Sequence, residues 1–325
     1  MNITQFNKLY TIDDEIIDIL LLDRNTKMNI IFATDIYVKR GYKISDEIER
    51  NALINQKKPL IRARIEKPAE EQKLRSKDKA EVFTPSWVCN KQNNLIDNAW
   101  FGQQNIFNIE LSKGWITNKE KIIFHFFKKN FEDYIFDTRM EIACGEGPYL
   151  TSRYDTVTGD EILLHDRIGL IDRKLRVVTE NFKSKEAWIR LAIESFKAIY
   201  GYEYQGDNLF IARENLLLTF IDYFKANFNQ DPKIELLKEI ATIISYNLIQ
   251  MDGLKFVVPL SCKNVKSTRI VTTNLFNEEI VSGEEEKMCP GCTTNNIYNH
   301  NGTYCFIMDW KKNKKVKFSE LFKGE

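Results

Sequence analysis

The sequence predicts an α/β fold in which a parallel sheet carries helices on both faces. Short apolar segments alternate with longer amphipathic segments, and this alternation is typical of strands joined by crossover helices. The segment RMEIACGEGPYL, residues 139–150, ends in a glycine loop, as strands do where they turn into helices in doubly wound folds. We therefore expect a core of this type, preceded by an N-terminal extension and followed by a loop-rich C-terminal region.

The individual elements follow from hydrophobic periodicity and from capping residues. Ser86 is placed to cap a helix with Trp87, Val88, Leu95, Ile96 and Trp100 on its apolar side. Two apolar runs, residues 16–23 and 29–37, fit either a buried strand or a short helix. The other predicted helices span residues 69–79, 183–200, 207–228 and 234–241, and the later strands span residues 201–204, 243–251 and 303–307.

Composition excludes several classes of protein. Hydrophobic residues make up 43% of the 325 residues and charged residues 29%, which argues against disorder. The net charge of +1 identifies no partner, so any charged binding face has to be local. No apolar run approaches the roughly 18–20 residues of a membrane span, and residues 1–13 lack the pattern of a secretory signal. We expect a cytoplasmic protein whose six cysteines are thiols or metal ligands.

Charge and composition also suggest where the domains divide. In residues 57–79 nine Lys or Arg face four Asp or Glu, which fits either a solvated connector or an arm that contacts phosphates. We predict an N-terminal extension with this basic linker over residues 1–80. The core then spans residues 81–260, and residues 261–325 hold a metal-knuckle insertion and the last core strand.

The glycine loop is the first candidate ligand site. Gly145 and Gly147 permit positive φ and allow a ligand to approach the backbone, although a tight turn between strand and helix is the alternative. Glu203, at the end of the next predicted strand, is placed to accept hydrogen bonds from ribose hydroxyls. It follows Gly147 by 56 positions, where roughly 20 is usual. We therefore expect an insertion over residues 151–185.

A third acidic residue, Asp252, follows the third predicted strand in NLIQMDGL. Its carboxylate is placed to reach the adenine ring of a bound nucleotide-like cofactor. The alternative is a turn residue, because Asp-Gly is a strong turn dipeptide.

The order of AEVFTPSWVCN, EIACGEGPYL and YGYEYQGDNLFIAREN resembles adenine-specific DNA methyltransferases of restriction–modification systems. In those enzymes an aromatic-Thr-Pro turn closes over the methionine end of S-adenosylmethionine. The resemblance implies a Rossmann-like methyltransferase sheet, with S-adenosylmethionine as cofactor and DNA as partner. The cofactor-binding residues it implies are Phe83, Thr84, Pro85, Glu141, Ala143, Cys144, Gly145, Gly147, Glu203, Tyr204 and Asp252.

Longer runs, among them NLIQMDGLKFVVP and HNGTYCFIMDWKK, are similar to a family known as restriction endonuclease subunit M, from about residue 25 onward. One departure concerns catalysis. Amino-methyltransferases use Asn or Asp, two prolines and an aromatic residue to hold a flipped base. The nearest match here is Asp309-Trp310, which lacks the prolines. We take these two residues as the candidate catalytic pair, with an ordinary strand end as the alternative.

A metal site is predicted near the C-terminus. Cys289-Pro-Gly-Cys292 is a C-x2-C knuckle, and His300 and Cys305 follow it. We favour a structural zinc ion on Cys289, Cys292, His300 and Cys305, with Cys262 as the substitute for one of the last two. The alternatives are a redox pair and two buried thiols.

Three functional hypotheses follow. The first is an S-adenosylmethionine-dependent DNA adenine methyltransferase of a restriction–modification system. The second is a non-catalytic subunit that binds cofactor and DNA and acts with a separate endonuclease or specificity subunit. The third, a nuclease, lacks a defensible cluster of acidic residues and lysine in this sequence.

Overall fold

The computed structural model describes residues 13–54, 59–78, 83–124, 127, 129–272 and 279–323. It has a mixed helix–strand fold with small sheets and divides into two compact units, Met1–Gln250 and Met251–Glu325. The predicted boundaries after residues 80 and 260 differ from this division, because the N-terminal extension belongs to the same unit as the core. None of the helices in the described ranges has the length and apolar character needed to cross a membrane.

The elements are labelled in chain order. In the first unit they are α1 (Asp14–Leu21), α2 (Arg50–Ile54), α3 (Ala69–Asp78), α4 (Ser86–Phe101), β1 (Asn108–Leu111), β2 (Gly114–Thr117), α5 (Phe131–Phe136), β3 (Arg139–Glu141), α6 (Leu170–Asn181), α7 (Lys185–Lys197), β4 (Ile199–Glu203), α8 (Gly206–Phe228), α9 (Ile234–Asn247) and β5 (Leu248–Gln250). In the second unit they are β6 (Val265–Thr272), β7 (Glu279–Lys287), α10 (Pro290–Thr294), β8 (Phe306–Asp309) and β9 (Lys314–Lys317).

The first unit contains a three-stranded parallel sheet in the order β3-β4-β5. Arg139 pairs with Ile199, and Gly201 pairs with Leu248. Because the strands are parallel, their carboxyl ends, at Glu141, Glu203 and Gln250, lie at one edge of the sheet. Strand β8 pairs antiparallel with β9 in a separate sheet, so the strand predicted to complete the core does not join these three.

The core of the first unit is built around α8, which buries most of its length. Trp188 of α7 lies 5.9 Å from Phe220 and 6.0 Å from Phe224 of α8, measured between ring centroids. Burying an apolar side chain of this size contributes roughly 1.5–3 kcal/mol. The apolar residues whose spacing predicted these two helices therefore form the buried faces of α7 and α8.

The N-terminal extension is fixed to the carboxyl edge of the sheet. The Gln250 side chain accepts a hydrogen bond from the Ile31 amide at 2.9 Å and donates to the Ile31 carbonyl at 2.7 Å. Tyr37 donates its hydroxyl hydrogen to Asp207 at 2.7 Å. The extension thus braces the core through polar contacts. The run 16–23 is mostly helical, as α1, whereas residues 29–37 form neither a helix nor a strand.

Two of the basic residues in the segment 57–79 point into the protein interior. Lys67 and Arg75 have buried side chains, and both pair with Asp207 in the first turn of α8. Burial alone would raise the pKa of Asp207, but the two cations lower it below its ordinary value. Lys67 and Arg75 are therefore neither solvated nor free to contact phosphates, because both neutralise the buried carboxylate of Asp207.

Helix α4 differs from its prediction in which face is buried. Leu95 is 68% exposed and Ile96 is 44% exposed, whereas Asn90, Asn94 and Asp97 are buried. Arg173 of α6, within the predicted insertion, donates to those three polar side chains. Satisfying a buried guanidinium outweighs burial of two aliphatic side chains here.

The boundaries of several elements also move. Pro85 occupies the N-cap position of α4, and the amide of Ser86 donates instead to Asp155 at 2.7 Å. Helix α7 ends at Lys197, so β4 begins two residues before the predicted strand. Helix α9 runs on to Asn247 and leaves three residues for β5, because an apolar run fits a buried helix and a buried strand equally well.

Candidate functional site

The glycine loop after β3 has an unusual backbone. Gly145 and Gly147 have φ of 54° and 77°, and Ala143 has φ of 48°. Positive φ is easily adopted by glycine but rare for alanine, and such conformations are over-represented at ligand sites. The tip of the loop is open to solvent, since Ile142 is 70% exposed. The loop therefore offers an accessible backbone at the carboxyl edge of the sheet.

Glu203 lies at the end of β4 against this loop. Its carboxylate accepts hydrogen bonds from the Gly145 amide at 2.8 Å and from the Gln205 amide at 3.1 Å. Burial raises the pKa of Glu203, and the backbone donors oppose that rise. A carboxylate can accept about four hydrogen bonds, so Glu203 retains capacity for hydroxyl donors of a ligand.

Glu141 holds the other side of the loop. It accepts from the amides of Leu150 at 3.1 Å and Tyr149 at 3.4 Å, and burial raises its pKa well above the ordinary value. Burial, together with Glu141, likewise raises the pKa of the Cys144 thiol far above its usual range. Cys144 is therefore a packing residue of the loop and not a thiolate nucleophile.

Sequence reasoning missed Glu146, which lies between the two glycines of the loop. It is 1% exposed and accepts hydrogen bonds from the Arg64 amide at 2.5 Å and the Tyr154 hydroxyl at 2.6 Å. The buried acid Glu214 of α8 is close enough to Glu146 to have its pKa raised by it, with burial as the larger cause. The sequence offered one indication of this role, which is the position of a charged residue between the two glycines of the loop.

The Phe83-Thr84-Pro85 turn is tied to the residues that follow the loop. The Thr84 carbonyl accepts from the Thr156 hydroxyl at 3.2 Å. The Arg64 guanidinium lies 4.6 Å from the centroid of the Phe83 ring, and the Arg64 amide binds Glu146 of the loop. The structure thus brings together three predicted features: the turn, the glycine loop and Glu203.

Two other predicted cofactor residues have structural partners. Tyr204 follows Glu203, and its carbonyl accepts from Gln250 at 2.9 Å. Asp252 belongs to the second unit, where its carboxylate accepts from the Leu254 amide at 3.0 Å and pairs with Lys255 at 3.3 Å. The geometry of Asp252 is that of a turn residue.

Asp309 and Trp310 lie at the end of β8, where the β8–β9 hairpin turns. The Asp309 carboxylate accepts from the Lys312 amide at 3.1 Å and pairs with the Lys312 ammonium at 3.2 Å. These interactions lower the pKa of Asp309. The carboxylate of the candidate catalytic pair thus stabilises its own turn.

A second candidate site lies in the second unit. Cys262, Cys289, Cys292 and His300 bring their ligand atoms within 4.8 Å of one another. The three sulfurs lie 3.6, 3.6 and 3.7 Å from Nδ1 of His300. Tetrahedral zinc with bonds of about 2.3 Å to sulfur and 2.0–2.1 Å to nitrogen separates S and N by about 3.6 Å. The cluster can hold a metal ion such as zinc.

The surroundings of the cluster fit a bound cation. A Cβ at Gly291 would lie 2.6 Å from His300 Nδ1, so the Pro-Gly turn leaves the space that the imidazole occupies. Burial and the neighbouring thiols raise the pKa of Cys262 to about 12. Burial opposes ionisation of Cys289 too, but hydrogen bonds from amides and His300 lower its pKa to about 6. A divalent cation would offset repulsion among the thiolates.

Cys305 is not one of these four residues, which corrects the favoured ligand set. It is fully buried, its amide donates to the Phe256 carbonyl at 3.0 Å, and its carbonyl accepts from the Phe318 amide at 2.8 Å. Cys262 takes the fourth place because β6 and β7 form a hairpin that returns the chain from Cys262 to Cys289. The substitute predicted from the sequence is therefore the residue that the fold supplies.

Comparison with known proteins adds no relative. No protein-family model, curated protein or solved structure matches the chain.

Proposed function

We propose that the first unit binds S-adenosylmethionine and that the chain acts as a DNA adenine methyltransferase of a restriction–modification system. One observation carries the proposal. The glycine loop, Glu203 and the Phe83–Pro85 turn meet at the carboxyl edge of a parallel sheet, the edge at which doubly wound folds bind their ligands. On this proposal the three described strands belong to a Rossmann-like methyltransferase sheet.

The proposed roles follow from the chemistry of the cofactor. Glu203 accepts hydrogen bonds from the ribose hydroxyls, and the loop from Ala143 to Gly147 lets the cofactor approach the backbone. Phe83 to Pro85 would cover the methionine end, and Tyr204, which follows Glu203 in the chain, would contribute to the same site. Asp252 is not part of this proposed site, because it belongs to the second unit, where it is a turn residue. Glu141 positions the loop through the amides that it binds.

Methyl transfer would proceed by direct displacement. S-adenosylmethionine would supply the methyl group to the exocyclic nitrogen of adenine as its carbon–sulfur bond breaks, with S-adenosylhomocysteine as the leaving group and the amine proton passing to water. Asp309 would accept a hydrogen bond from the amine, and Trp310 would stack on the flipped base. Alignment of nitrogen, methyl carbon and sulfur would supply most of the rate.

A second candidate is a cofactor- and DNA-binding subunit that does not transfer methyl groups and acts with an endonuclease or specificity subunit. The geometry of Asp309 favours it, because this carboxylate is bound to the amide and ammonium of Lys312. The absence of prolines between Asp309 and Trp310 favours it as well.

Isothermal titration with S-adenosylmethionine tests cofactor binding. We expect binding by the unaltered chain and a loss of roughly 1–3 kcal/mol in Glu203→Ala, because a charge-assisted hydrogen bond is removed. Glu235→Ala, which removes an exposed acid on α9, is the matched control and should bind normally. Absence of binding by the unaltered chain would remove the cofactor proposal altogether.

Transfer of a radioactive methyl group from S-adenosylmethionine to duplex DNA separates the two candidates. A methyltransferase labels DNA, and Asp309→Asn lowers the rate without weakening cofactor binding. A chain that binds the cofactor but labels no DNA, alone or with an added recognition subunit, is the non-catalytic subunit.

A further inference from the structure

The β8–β9 hairpin concentrates positive charge. Residues 306–317 contain five lysines and a single acid, Asp309. Four of the lysines, Lys311, Lys312, Lys314 and Lys315, are exposed and occupy the tip of the hairpin. Asp309 pairs with Lys312 at 3.2 Å, so the tip keeps a strong excess of positive charge in a chain whose net charge is +1.

The tip has a defined backbone. Four residue pairs, from Phe306↔Lys317 to Asp309↔Lys314, align the two strands. Asn313 adopts a positive φ of 48°, and Asp309 accepts the Lys312 amide at 3.1 Å. Both features fix the turn, so less backbone entropy is lost when the lysines bind a partner.

The base of the hairpin is connected to the metal cluster. The His300 amide donates to the Tyr304 hydroxyl at 2.9 Å, and the Lys317 ammonium lies 3.2 Å from the centroid of the Tyr304 ring. Next to Tyr304, the carbonyl of Cys305 accepts from Phe318, the residue that follows β9. A metal ion that orders His300 would therefore also order the base of the hairpin.

We propose that the tip of this hairpin binds the sugar–phosphate backbone of duplex DNA and that the metal ion of the Cys/His cluster holds it in position. Duplex DNA carries one negative charge per about 1.7 Å of helix axis, which matches closely spaced lysines, and its major groove admits a two-stranded ribbon. Lysine ammonium groups bind phosphates as point charges, so the contact is independent of sequence. The choice of DNA as partner rests on the proposed function.

The salt dependence of binding tests this surface. Fluorescence anisotropy would follow a labelled 20-base-pair duplex of mixed sequence, with the full chain loaded with zinc. In the quadruple variant K311Q/K312Q/K314Q/K315Q, we expect the slope of log K against log salt to fall by about 3–4, since each lost phosphate contact removes about 0.9. K39Q/K43Q/K113Q/K233Q removes the same charge from exposed sites of the first unit and should leave the slope nearly unchanged.

Three further measurements examine the role of the metal ion and the choice of DNA as the partner. The quadruple variant should retain its zinc, which shows that the second unit is folded, and removal of zinc from the unaltered chain should weaken DNA binding about as much as the four substitutions. Equal slopes for the two quadruple variants, or DNA binding that survives zinc removal, would overturn the proposal. So would tighter binding of polyglutamate than of the duplex at equal salt and equal charge concentration, since an acidic protein would then fit the surface better than DNA.

Measuring cofactor binding in the same variants distinguishes failure of this proposal from failure of the proposed function. Glu203→Ala should bind S-adenosylmethionine more weakly and keep the salt slope, whereas the lysine variant should keep S-adenosylmethionine affinity and lose the slope. A chain that binds DNA through the hairpin but no S-adenosylmethionine would support this surface and refute the cofactor proposal.

Discussion

The two units of the chain are stabilised in different ways. The first buries long aliphatic and aromatic faces of its helices, with Trp188, Phe220 and Phe224 in mutual contact. Among the side chains that the structure describes in the second unit, the buried apolar ones are Met251, Val257, Val258, Pro259, Cys289, Cys305 and Phe318. We therefore expect a metal ion to contribute far more to the stability of the second unit than to that of the first.

Removal of the metal should give the largest change in stability. It should destabilise the second unit and leave the first unit folded. Structural zinc contributes on the order of 10 kcal/mol or more to small metal-dependent domains. With a strong zinc chelator present, we expect the amides of β8 and β9 to lose protection from hydrogen exchange while those of α8 keep it. Equal protection of the second unit with and without chelator would show that its apolar contacts suffice.

Cysteine variants sharpen this result, because the six thiols divide into ligands and packing residues. Cys262→Ser should lower the zinc content of the purified protein, and Cys305→Ser should retain about one zinc ion per chain. The reverse outcome would restore the ligand set favoured from the sequence.

The next largest effect concerns the buried charges of the first unit. Asp207→Asn leaves Lys67 and Arg75 buried without their anion, and breaking a buried ion pair in this way costs about 3–5 kcal/mol. Urea denaturation followed by tryptophan fluorescence measures the loss. Asp231→Asn, which removes an exposed partner of Lys225, should cost about 0–1 kcal/mol. A similar small loss for Asp207→Asn would mean that water reaches the two cations.

The sequence predicted the parts of both units that depend on local pattern. The periodicity of residues 207–228 located α8, and the order of Glu141, Gly145, Gly147 and Glu203 located the carboxyl edge of the sheet. The knuckle at Cys289 and Cys292 predicted the metal cluster. The helix, the glycine loop and the knuckle each depend on residues close together in the chain, so one sequence suffices to find them.

Features that depend on distant pairs could not be decided from one sequence, which left Cys262 as a substitute ligand only. Cys262 lies 27 positions before Cys289, and only the pairing of β6 with β7 makes that separation short in space. Arg173 lies far along the chain from Asn90 and Asp97, so nothing local indicated that α4 would bury its polar side chains. A single sequence reports which residues are apolar, but not which cations are buried and need partners.

A pH effect of a few kcal/mol is expected from Glu214, which is buried with no hydrogen-bond partner for Oε1. Burial, and to a lesser extent Glu66 and Glu146, raises its pKa to about 8. Between the unfolded pKa of about 4.5 and this value, the folded state binds a proton that the unfolded state does not. Stability therefore falls as pH rises through this range, by up to about 1.4 kcal/mol per pH unit.

Glu214→Gln removes this titration. The variant should be more stable than the unaltered chain at pH 8 and nearly equal to it at pH 5, as measured by urea midpoints at the two values. Glu239→Gln, at an exposed position of α9, is the control and should change neither midpoint. Parallel pH dependence in the unaltered chain and Glu214→Gln would show that Glu214 is ionised in the folded state.

The smallest expected loss of stability comes from the N-terminal cap of one helix in the first unit. The Ser184 side chain caps α7 by accepting from the Ala187 amide at 3.2 Å. Ser184→Ala leaves that amide without its partner and should cost about 1 kcal/mol, whereas Ser184→Asp keeps a cap and should cost less. Neither variant should alter zinc affinity, because the cluster lies wholly in the second unit. A change in zinc affinity in Ser184→Ala would mean that the two units do not unfold separately, and would end the distinction between a packed unit and a metal-dependent one.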